Sequence, residues 1–161
     1  MELLISVKGH KYSIQDKQGG KLLYTVKKKG FSSKYLLLDA SEYQLYTMTK
    51  TSEDRKPVFI ISHNDRPIIS LSCKSLFLDP TIDIKGKDTS GTPVEYALAS
   101  KEHKDFTLLA GEKEMGELHT LLTVDGELQY EMKIDNKIFD DYLPLFAVAV
   151  DLTFGEMNKE S

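Results

Sequence analysis

The sequence predicts a mainly β protein in which strands form a barrel or a sandwich around one buried helix. Three observations support this fold class. Apolar and polar residues alternate in short runs along most of the chain, turn signals separate the runs at close spacing, and one strongly apolar segment occupies residues 142–154. Alternation with a period of two is typical of half-buried strands, and frequent short strands are typical of all-β barrels and sandwiches. With 161 residues, the chain fits a single domain over 1–161.

The strands are predicted from the alternation. In the clearest run, 127–134, Leu128, Tyr130, Met132 and Ile134 share one face and polar residues share the other. Further runs rich in strand-forming residues lie at 21–28, 68–74, 82–85, 94–99 and 106–110. Turn signals lie at 16–20, 30–33, 39–41, 64–65, 79–80, 88–93, 111 and 125–126. The runs between these breaks predict about eleven or twelve strands.

A helix is predicted over about residues 140–155. Asp140 or Asp141 is suited to cap its first turn and to complement the helix dipole. Pro144 falls within the first turn, where a missing N–H costs little. Gly155 stands where a left-handed C-terminal cap is expected.

The apolar character of this helix predicts its location. A helix that is apolar on all sides must be buried in protein or in lipid. At 1.5 Å per residue, 142–154 would span about 20 Å, which is less than a bilayer requires. The shorter run 147–150 also fits a strand, because short apolar runs are ambiguous by period alone. We expect a helix in the middle of the protein, with strands around it.

Asp151 interrupts the apolar segment. A buried carboxylate must be hydrogen-bonded or paired, because an isolated buried charge is costly. Near the C-terminal end of a helix the dipole adds to this need. We expect a structural role for Asp151, with backbone amides or a lysine at the barrel mouth as partners. Replacing it with Leu should then change stability more than binding.

Composition and charge limit the function classes. The net charge of −4 does not favour nucleic acid as a partner. Cys73 is the single cysteine, and its alternation with Ile69 and Leu71 predicts a core position rather than a catalytic thiol. The N-terminus lacks the features of a signal peptide, and no apolar run is long enough to span a membrane. We expect a cytoplasmic protein, with peripheral membrane attachment left open.

The strongest charge cluster is Lys27, Lys28 and Lys29, with Lys34 after the following turn. If the apolar residues of 22–26 face inward, Lys27 and Lys29 project outward and Lys28 lies near the strand end. Lys34 would lie beside them and complete a patch that attracts phosphate groups, such as those of anionic head groups. The alternative is a solvated strand end whose lysines discourage edge pairing.

Other candidate sites are weaker. Residues 86–91 have glycines spaced like a phosphate-binding loop, but the Lys-Ser/Thr pair and the following helix are missing. A second basic set, Lys101, His103 and Lys104, lies in a predicted loop. The four histidines have no metal-binding spacing. We therefore expect no metal, no cofactor and no enzymatic activity.

Two pairs of segments resemble the tubby C-terminal-like superfamily, in particular its LURP-one-related and small bacterial members. The first is Lys-Leu-Leu-Tyr-Thr-Val-Lys-Lys-Lys at 21–29, followed by Tyr-Leu-Leu-Leu-Asp at 35–39. The second is Tyr-x-Met-x-Ile-Asp at 130–135, followed by Leu-Phe-Ala-Val-Ala-Val-Asp at 145–151, which is similar to the last strand and central helix of these proteins. The resemblance follows the order of the chain over essentially its full length.

This resemblance implies a closed antiparallel barrel of about twelve strands, with the central hydrophobic C-terminal helix threading it. Relatives include membrane-tethered phosphoinositide binders, phospholipid scramblases and plant defence-related proteins, and many small bacterial relatives have no assigned activity. None of the phosphoinositide-binding residues is carried over to this chain.

Two functions are therefore expected. The first is a non-enzymatic binding module that associates reversibly with anionic lipid or another phosphate-bearing partner through the basic patch. The second is a protein–protein interaction domain, with an unknown partner and no lipid affinity. Transport of a small apolar ligand inside the barrel is not expected, because the helix should fill the lumen.

Overall fold

Twelve antiparallel strands close into a barrel around one C-terminal helix, which confirms the predicted fold class. The structure is a computed structural model and describes residues 1–51 and 55–160. The strands are β1 (Glu2–Lys8), β2 (Lys11–Asp16), β3 (Leu22–Lys28), β4 (Lys34–Asp39), β5 (Gln44–Lys50), β6 (Val58–His63), β7 (Arg66–Ser75), β8 (Thr81–Lys87), β9 (Pro93–Ser100), β10 (Asp105–Ala110), β11 (Lys113–Leu122) and β12 (Leu128–Ile134). The helix α1 is Pro144–Glu160.

The topology is a simple meander. Each strand pairs with the next one in the sequence, and β1 pairs with β12 to close the ring. In this closing ladder Ile5 lies opposite Tyr130, and Leu3 lies opposite Met132. Closure leaves no unpaired sheet edge, so the backbone hydrogen bonds of every strand are used within the barrel.

The predicted alternation determines which side chains enter the barrel. Leu128, Tyr130, Met132 and Ile134 of β12 are all buried, whereas the residues between them lie on the outer side. Cys73 is also buried, as its alternation predicts, and burial raises the pKa of its thiol. The inward residues of the strands pack against the helix and form one continuous core.

The helix fills the lumen. Leu145, Phe146, Val148 and Val150 are completely buried, and Phe154 packs against Phe106 with ring centroids 5.3 Å apart. A barrel of this size has room for an element of secondary structure inside it, and an apolar helix is the element that this sequence supplies. The expectation of a buried helix surrounded by strands agrees with the structure.

The start of the helix differs from the prediction. Residues 140–143 form a turn and the helix begins at Pro144, which supports the placement of proline in the first turn. Neither aspartate caps the helix: Asp140 Oδ1 accepts from the amide of Asp141 at 2.7 Å, and the Asp141 carboxylate accepts from the Tyr24 hydroxyl. The two carboxylates thus stabilise the turn that precedes the helix and do not cap the amides of its first turn.

The predicted cap at Gly155 is wrong, because the helix continues to Glu160. Glycine is required there for space. A Cβ atom at this position would lie 2.8 Å from Asp151 Oδ1 and 3.4 Å from Leu128 Cδ1. The missing side chain therefore leaves room for the Asp151 carboxylate, one helical turn earlier.

The meander gives the barrel two distinct ends. The chain enters the helix after β12, and we call the end at which α1 begins the helix-entry end; the other is the helix-exit end. Alternate connections lie at the same end of an up-and-down barrel. The helix-exit end therefore carries the connections β1–β2, β3–β4, β5–β6, β7–β8, β9–β10 and β11–β12.

Candidate functional site

The lysines predicted from the sequence lie on the β3–β4 hairpin, at the helix-exit end. Tyr24 and Val26 are buried inside the barrel, so the alternation turns Lys27 to the outer surface. Lys28 lies opposite Tyr35, whose side chain is buried, and therefore faces the barrel mouth. Lys28 thus lies on a different face of β3 from Lys27.

The hairpin turn places Lys29 beside Lys34. The amide of Lys29 donates to the carbonyl of Lys34 at 2.8 Å. The Lys29 carbonyl accepts from the Ser32 amide at 3.1 Å and from Ser32 Oγ at 2.5 Å. These bonds continue the ladder beyond the pair of Lys28 and Tyr35, so Lys29 and Lys34 both lie on the outer face. Of the predicted lysines, Lys27, Lys29 and Lys34 thus share one surface of the hairpin.

Barrel pairing adds two lysines that the sequence analysis did not include. Lys8 of β1 lies directly opposite Lys11 of β2, and Lys11 lies directly opposite Lys27 of β3. Three lysines therefore form a row across three neighbouring strands. We call the set of Lys8, Lys11, Lys27, Lys29 and Lys34 the lysine face. Nothing in the linear sequence links Lys8 to Lys27, because only strand register brings them together.

The row works against stability. Like charges directly opposite each other in an antiparallel sheet are destabilising, by roughly 0.2–1 kcal/mol for each pair. Lys11 has a lysine on both sides and is exposed to solvent. An anion bound along this row would relieve the repulsion.

Two members of the lysine face are partly neutralised within the protein. Lys27 Nζ lies 3.6 Å from Glu42 Oε1, and Lys34 Nζ lies 3.6 Å from Asp65 Oδ1. Both carboxylates are highly exposed, so these ion pairs are weak. In the described part of the chain, Lys8, Lys11 and Lys29 have no carboxylate within ion-pair distance. The face therefore keeps a surplus of positive charge.

Asp151 has partners other than those expected. Tyr12 Oη donates to its Oδ2 at 2.6 Å, and Tyr130 Oη donates to its Oδ1 at 2.7 Å. Both tyrosines are fully buried, and burial, followed by the charge of Asp151, raises their pKa. The residue also lies in the middle of α1 rather than in its last turn. The two hydroxyls connect the half-buried Asp151 carboxylate of the helix to β2 and β12.

The second basic set is tied to the helix. His103 Nδ1 lies 2.8 Å from Asn158 Oδ1, and Asn158 Nδ2 donates to the His103 carbonyl at 2.9 Å. These bonds attach the end of α1 to the β9–β10 connection. Lys101 and Lys104 flank this contact and add positive charge to the same end of the barrel.

A histidine with two carboxylate neighbours lies on the outer wall of the barrel. Asp105 Oδ1 is 3.0 Å from His119 Nδ1, and Glu117 Oε2 is 3.1 Å from Nε2. These hydrogen bonds raise the pKa of His119. Across residues 1–51 and 55–160, no group of three or more His, Cys, Asp or Glu side chains is arranged to hold a metal ion.

Comparisons with known proteins agree with this architecture. The family model described as LURP-one-related matches residues 2–151. The X-ray structure of an Arabidopsis thaliana protein superposes with a TM-score of 0.61 at 18% sequence identity, and the match covers 98% of this chain and 90% of that one. At this identity the likeness concerns the fold alone. No significant match is found among curated proteins.

Proposed function

Because this chain belongs to the LURP-one-related family, whose domain is a tubby-like binding domain, we propose that it is a non-enzymatic module that binds anionic phosphate groups reversibly, above all those of lipid head groups. The lysine face is the binding surface. The observation that carries the proposal is the cross-strand row of Lys8, Lys11 and Lys27.

The charge distribution supports a localised anion site on an acidic protein. The net charge is −4, so the chain as a whole repels anionic surfaces, yet five lysines lie together on the outer wall of the neighbouring strands β1 to β4 and the β3–β4 turn. Each basic residue close to an anionic membrane contributes about 1 kcal/mol of attraction. Five residues, two of them partly neutralised, give the moderate and salt-sensitive affinity of a reversible association.

The interior of the barrel offers no competing binding site in the part of the chain that the structure describes. The helix fills the lumen, which leaves no internal cavity of the kind that carries a ligand in open barrels. Among the described residues, no helix is long and apolar enough to cross a membrane. The lysine face meets its partner at the outer surface of the protein.

The proposal is tested by co-sedimentation with phosphatidylcholine vesicles, with and without phosphatidylserine, at low and at physiological salt. We expect binding to the anionic vesicles only, weakened by salt. Replacing Lys8, Lys11 and Lys29 with Glu should abolish it. The matched control replaces Lys87, Lys113 and Lys137, exposed lysines of the helix-entry end, with Glu, which changes the net charge equally.

Two outcomes would contradict the proposal. Equal loss of binding in both triple variants would mean that net charge, and not the lysine face, determines binding. No sedimentation with anionic vesicles at low salt would exclude lipid head groups. Calorimetric titration with inorganic pyrophosphate, a soluble phosphate probe, then distinguishes a free phosphate ligand from a protein partner. If the ligand is a free phosphate, titration of the wild type gives a heat of binding, and the variant with Glu at positions 8, 11 and 29 gives none.

A further inference from the structure

The helix-exit end carries apolar side chains that point into solvent. Phe31 in the β3–β4 connection and Val124 in the β11–β12 connection are fully exposed. In the β7–β8 connection, Phe77 is 69% and Leu78 84% exposed. We call these four residues the apolar tips. At the helix-entry end the only comparably exposed large apolar side chain among the described residues is Tyr43, which has a polar hydroxyl.

The apolar tips are spaced regularly around the barrel mouth. The three connections β3–β4, β7–β8 and β11–β12 recur at every fourth strand around the barrel of twelve strands. The three connections therefore divide the circumference into thirds. For a barrel of this strand number, neighbouring tips are about 20 Å apart. Three points at this spacing define a plane across the barrel end, which is the geometry of contact with a flat surface.

Ordered turns present the tips. Next to Phe31, Ser32 donates twice to the Lys29 carbonyl. Next to Val124, the Gly126 amide donates to the Thr123 carbonyl at 3.0 Å. In the third turn, Ser75 Oγ donates to the Leu78 carbonyl.

The β7–β8 turn buries one of its three consecutive apolar residues and exposes the other two. Leu76 is buried in the core, whereas Phe77 and Leu78, which follow it, point outward. Phe77 and Leu78 thus form an exposed apolar pair on a hydrogen-bonded turn, and burying this pair against a partner would be favourable.

The charge of the helix-exit end indicates which kind of partner would cover the apolar tips. Among the described residues, basic side chains outnumber acidic ones in the connections and strand termini of the helix-exit end. The basic ones are Lys8, Lys11, Lys28, Lys29, Lys34, Lys50, Arg55, Lys56, Lys74, Lys101 and Lys104, and the acidic ones are Asp79, Glu102, Asp105, Asp125 and Glu127. Apolar side chains that protrude beyond a basic rim match a bilayer with anionic head groups above an apolar interior.

The Val124 turn carries two of these acids, Asp125 and Glu127. Its neighbours at the mouth are the β1–β2 and β9–β10 connections, which supply Lys8 and Lys11 on one side and Lys101 and Lys104 on the other. The rim is therefore basic on the β1–β2 side of this tip, whereas on the β9–β10 side Lys101 and Lys104 are balanced by Glu102 and Asp105.

We infer that the barrel docks end-on to an anionic bilayer, with Phe31, Phe77, Leu78 and Val124 inserted below the head groups at three points while the lysine face binds the phosphates. This inference rests on the proposed function and adds the orientation and the apolar contacts. Electrostatic attraction alone would leave the barrel free to rotate on the surface. Three inserted tips fix one end toward the membrane and the helix-entry end toward solvent.

The experiment uses the absence of tryptophan from the chain. Single-tryptophan variants F31W, F77W and V124W place a unique fluorophore at each tip, and Y43W places one at the opposite end as the control. With phosphatidylserine-containing vesicles, we expect a blue shift of emission, and quenching by bromine-labelled acyl chains, at all three tips and neither at position 43. A second variant with Phe31, Phe77, Leu78 and Val124 replaced by Ser should bind these vesicles about tenfold more weakly or worse.

The outcomes separate the two proposals. Sedimentation with anionic vesicles but unshifted tryptophan emission at the tips would overturn end-on insertion and leave the proposed function in place. A shift at only one tip would overturn the three-point orientation. Failure to bind anionic vesicles at all would overturn both. If the wild-type chain sediments as a dimer without vesicles and the four-Ser variant as a monomer, the tips cover a second copy and the membrane inference is wrong.

Discussion

At the scale of single residues, the most informative contact is that of Asp151 with two tyrosines. The carboxylate lies in the middle of the helix, directly after its apolar first half, and each of its two oxygens accepts a hydrogen bond, one from Tyr12 and one from Tyr130. A buried polar group without its donors costs more free energy than the bond itself contributes. The tyrosines therefore make this aspartate compatible with the core, and the small Gly155 beside it keeps the space that the carboxylate occupies.

Removal of these donors should destabilise the fold. We expect replacement of both Tyr12 and Tyr130 with Phe to lower the free energy of unfolding by about 2–4 kcal/mol, because hydrogen bonds to a charged group contribute about 1.5–3 kcal/mol each and are not fully additive. Urea denaturation measures the change, with Tyr43→Phe, an exposed tyrosine, as control. In an Asp151→Leu background the same two replacements should cost much less. An equal cost in both backgrounds would show that the hydroxyls serve a purpose other than holding Asp151.

At the scale of elements, strand register creates the lysine face. The β1–β2 and β2–β3 ladders align Lys8, Lys11 and Lys27, and the β3–β4 turn adds Lys29 and Lys34. The patch is thus a property of four strands and not of one basic segment. It differs from the predicted patch by the addition of Lys8 and Lys11, and Lys28, which was expected near the strand end, faces the barrel mouth beside Tyr35.

A charge reversal at one lysine of the row should change stability and binding in opposite directions. Lys11→Glu converts two like-charge pairs into two attractive pairs, so the free energy of unfolding should rise by about 0.4–2 kcal/mol at low salt. Binding to anionic vesicles should fall in the same variant. Thermal unfolding and co-sedimentation measure the two effects, with Lys113→Glu as the matched control. A variant that loses stability, or that binds as the wild type does, would contradict a functional origin of the repulsion.

At the scale of the whole molecule, the core contains an unusual number of tyrosines at its margins. Burial is the main cause that raises the pKa of seven tyrosines of this chain: Tyr12, Tyr24, Tyr35, Tyr46, Tyr96, Tyr130 and Tyr142. Three of them donate to carboxylates at the helix: Tyr24 to Asp141, and Tyr12 and Tyr130 to Asp151. The fold therefore depends on these hydroxyls remaining protonated.

This dependence predicts alkaline unfolding. A pKa that is higher in the folded than in the unfolded state means that the folded protein binds more protons, so stability is complete below the ordinary tyrosine pKa of about 10 and decreases as the pH rises above it. We expect a flat melting temperature from about pH 7 to 9 and a steep fall above about pH 10. Scanning calorimetry measures the fall, and absorbance at 295 nm should show tyrosinate appearing together with unfolding. The variant with Phe at positions 12 and 130 should fall less steeply. A constant melting temperature up to pH 11 would refute the prediction.

The sequence by itself determined the secondary structure and the class of the fold. Period-two alternation identifies the inward face of each strand, as in β12, and an all-round apolar segment of this length has no stable location except the interior. These properties are local, because they depend on the spacing of residue types along one element. Element ends were less predictable: the helix starts after Asp141 and passes through Gly155, since packing against Leu128 and Asp151 outweighs the local preference of glycine for a cap.

Only the tertiary structure decided which elements are neighbours. Barrel closure and register bring Lys8 to Lys27, place Tyr12 and Tyr130 on Asp151, and align three apolar turns at one end. A period shows which face a side chain occupies, but it contains no information on the residue opposite, because a register is fixed by the pairing of whole strands. The candidate site consists of such cross-strand neighbours, so Lys27, Lys29 and Lys34 could be found from the sequence, whereas Lys8 and Lys11 required the closed barrel.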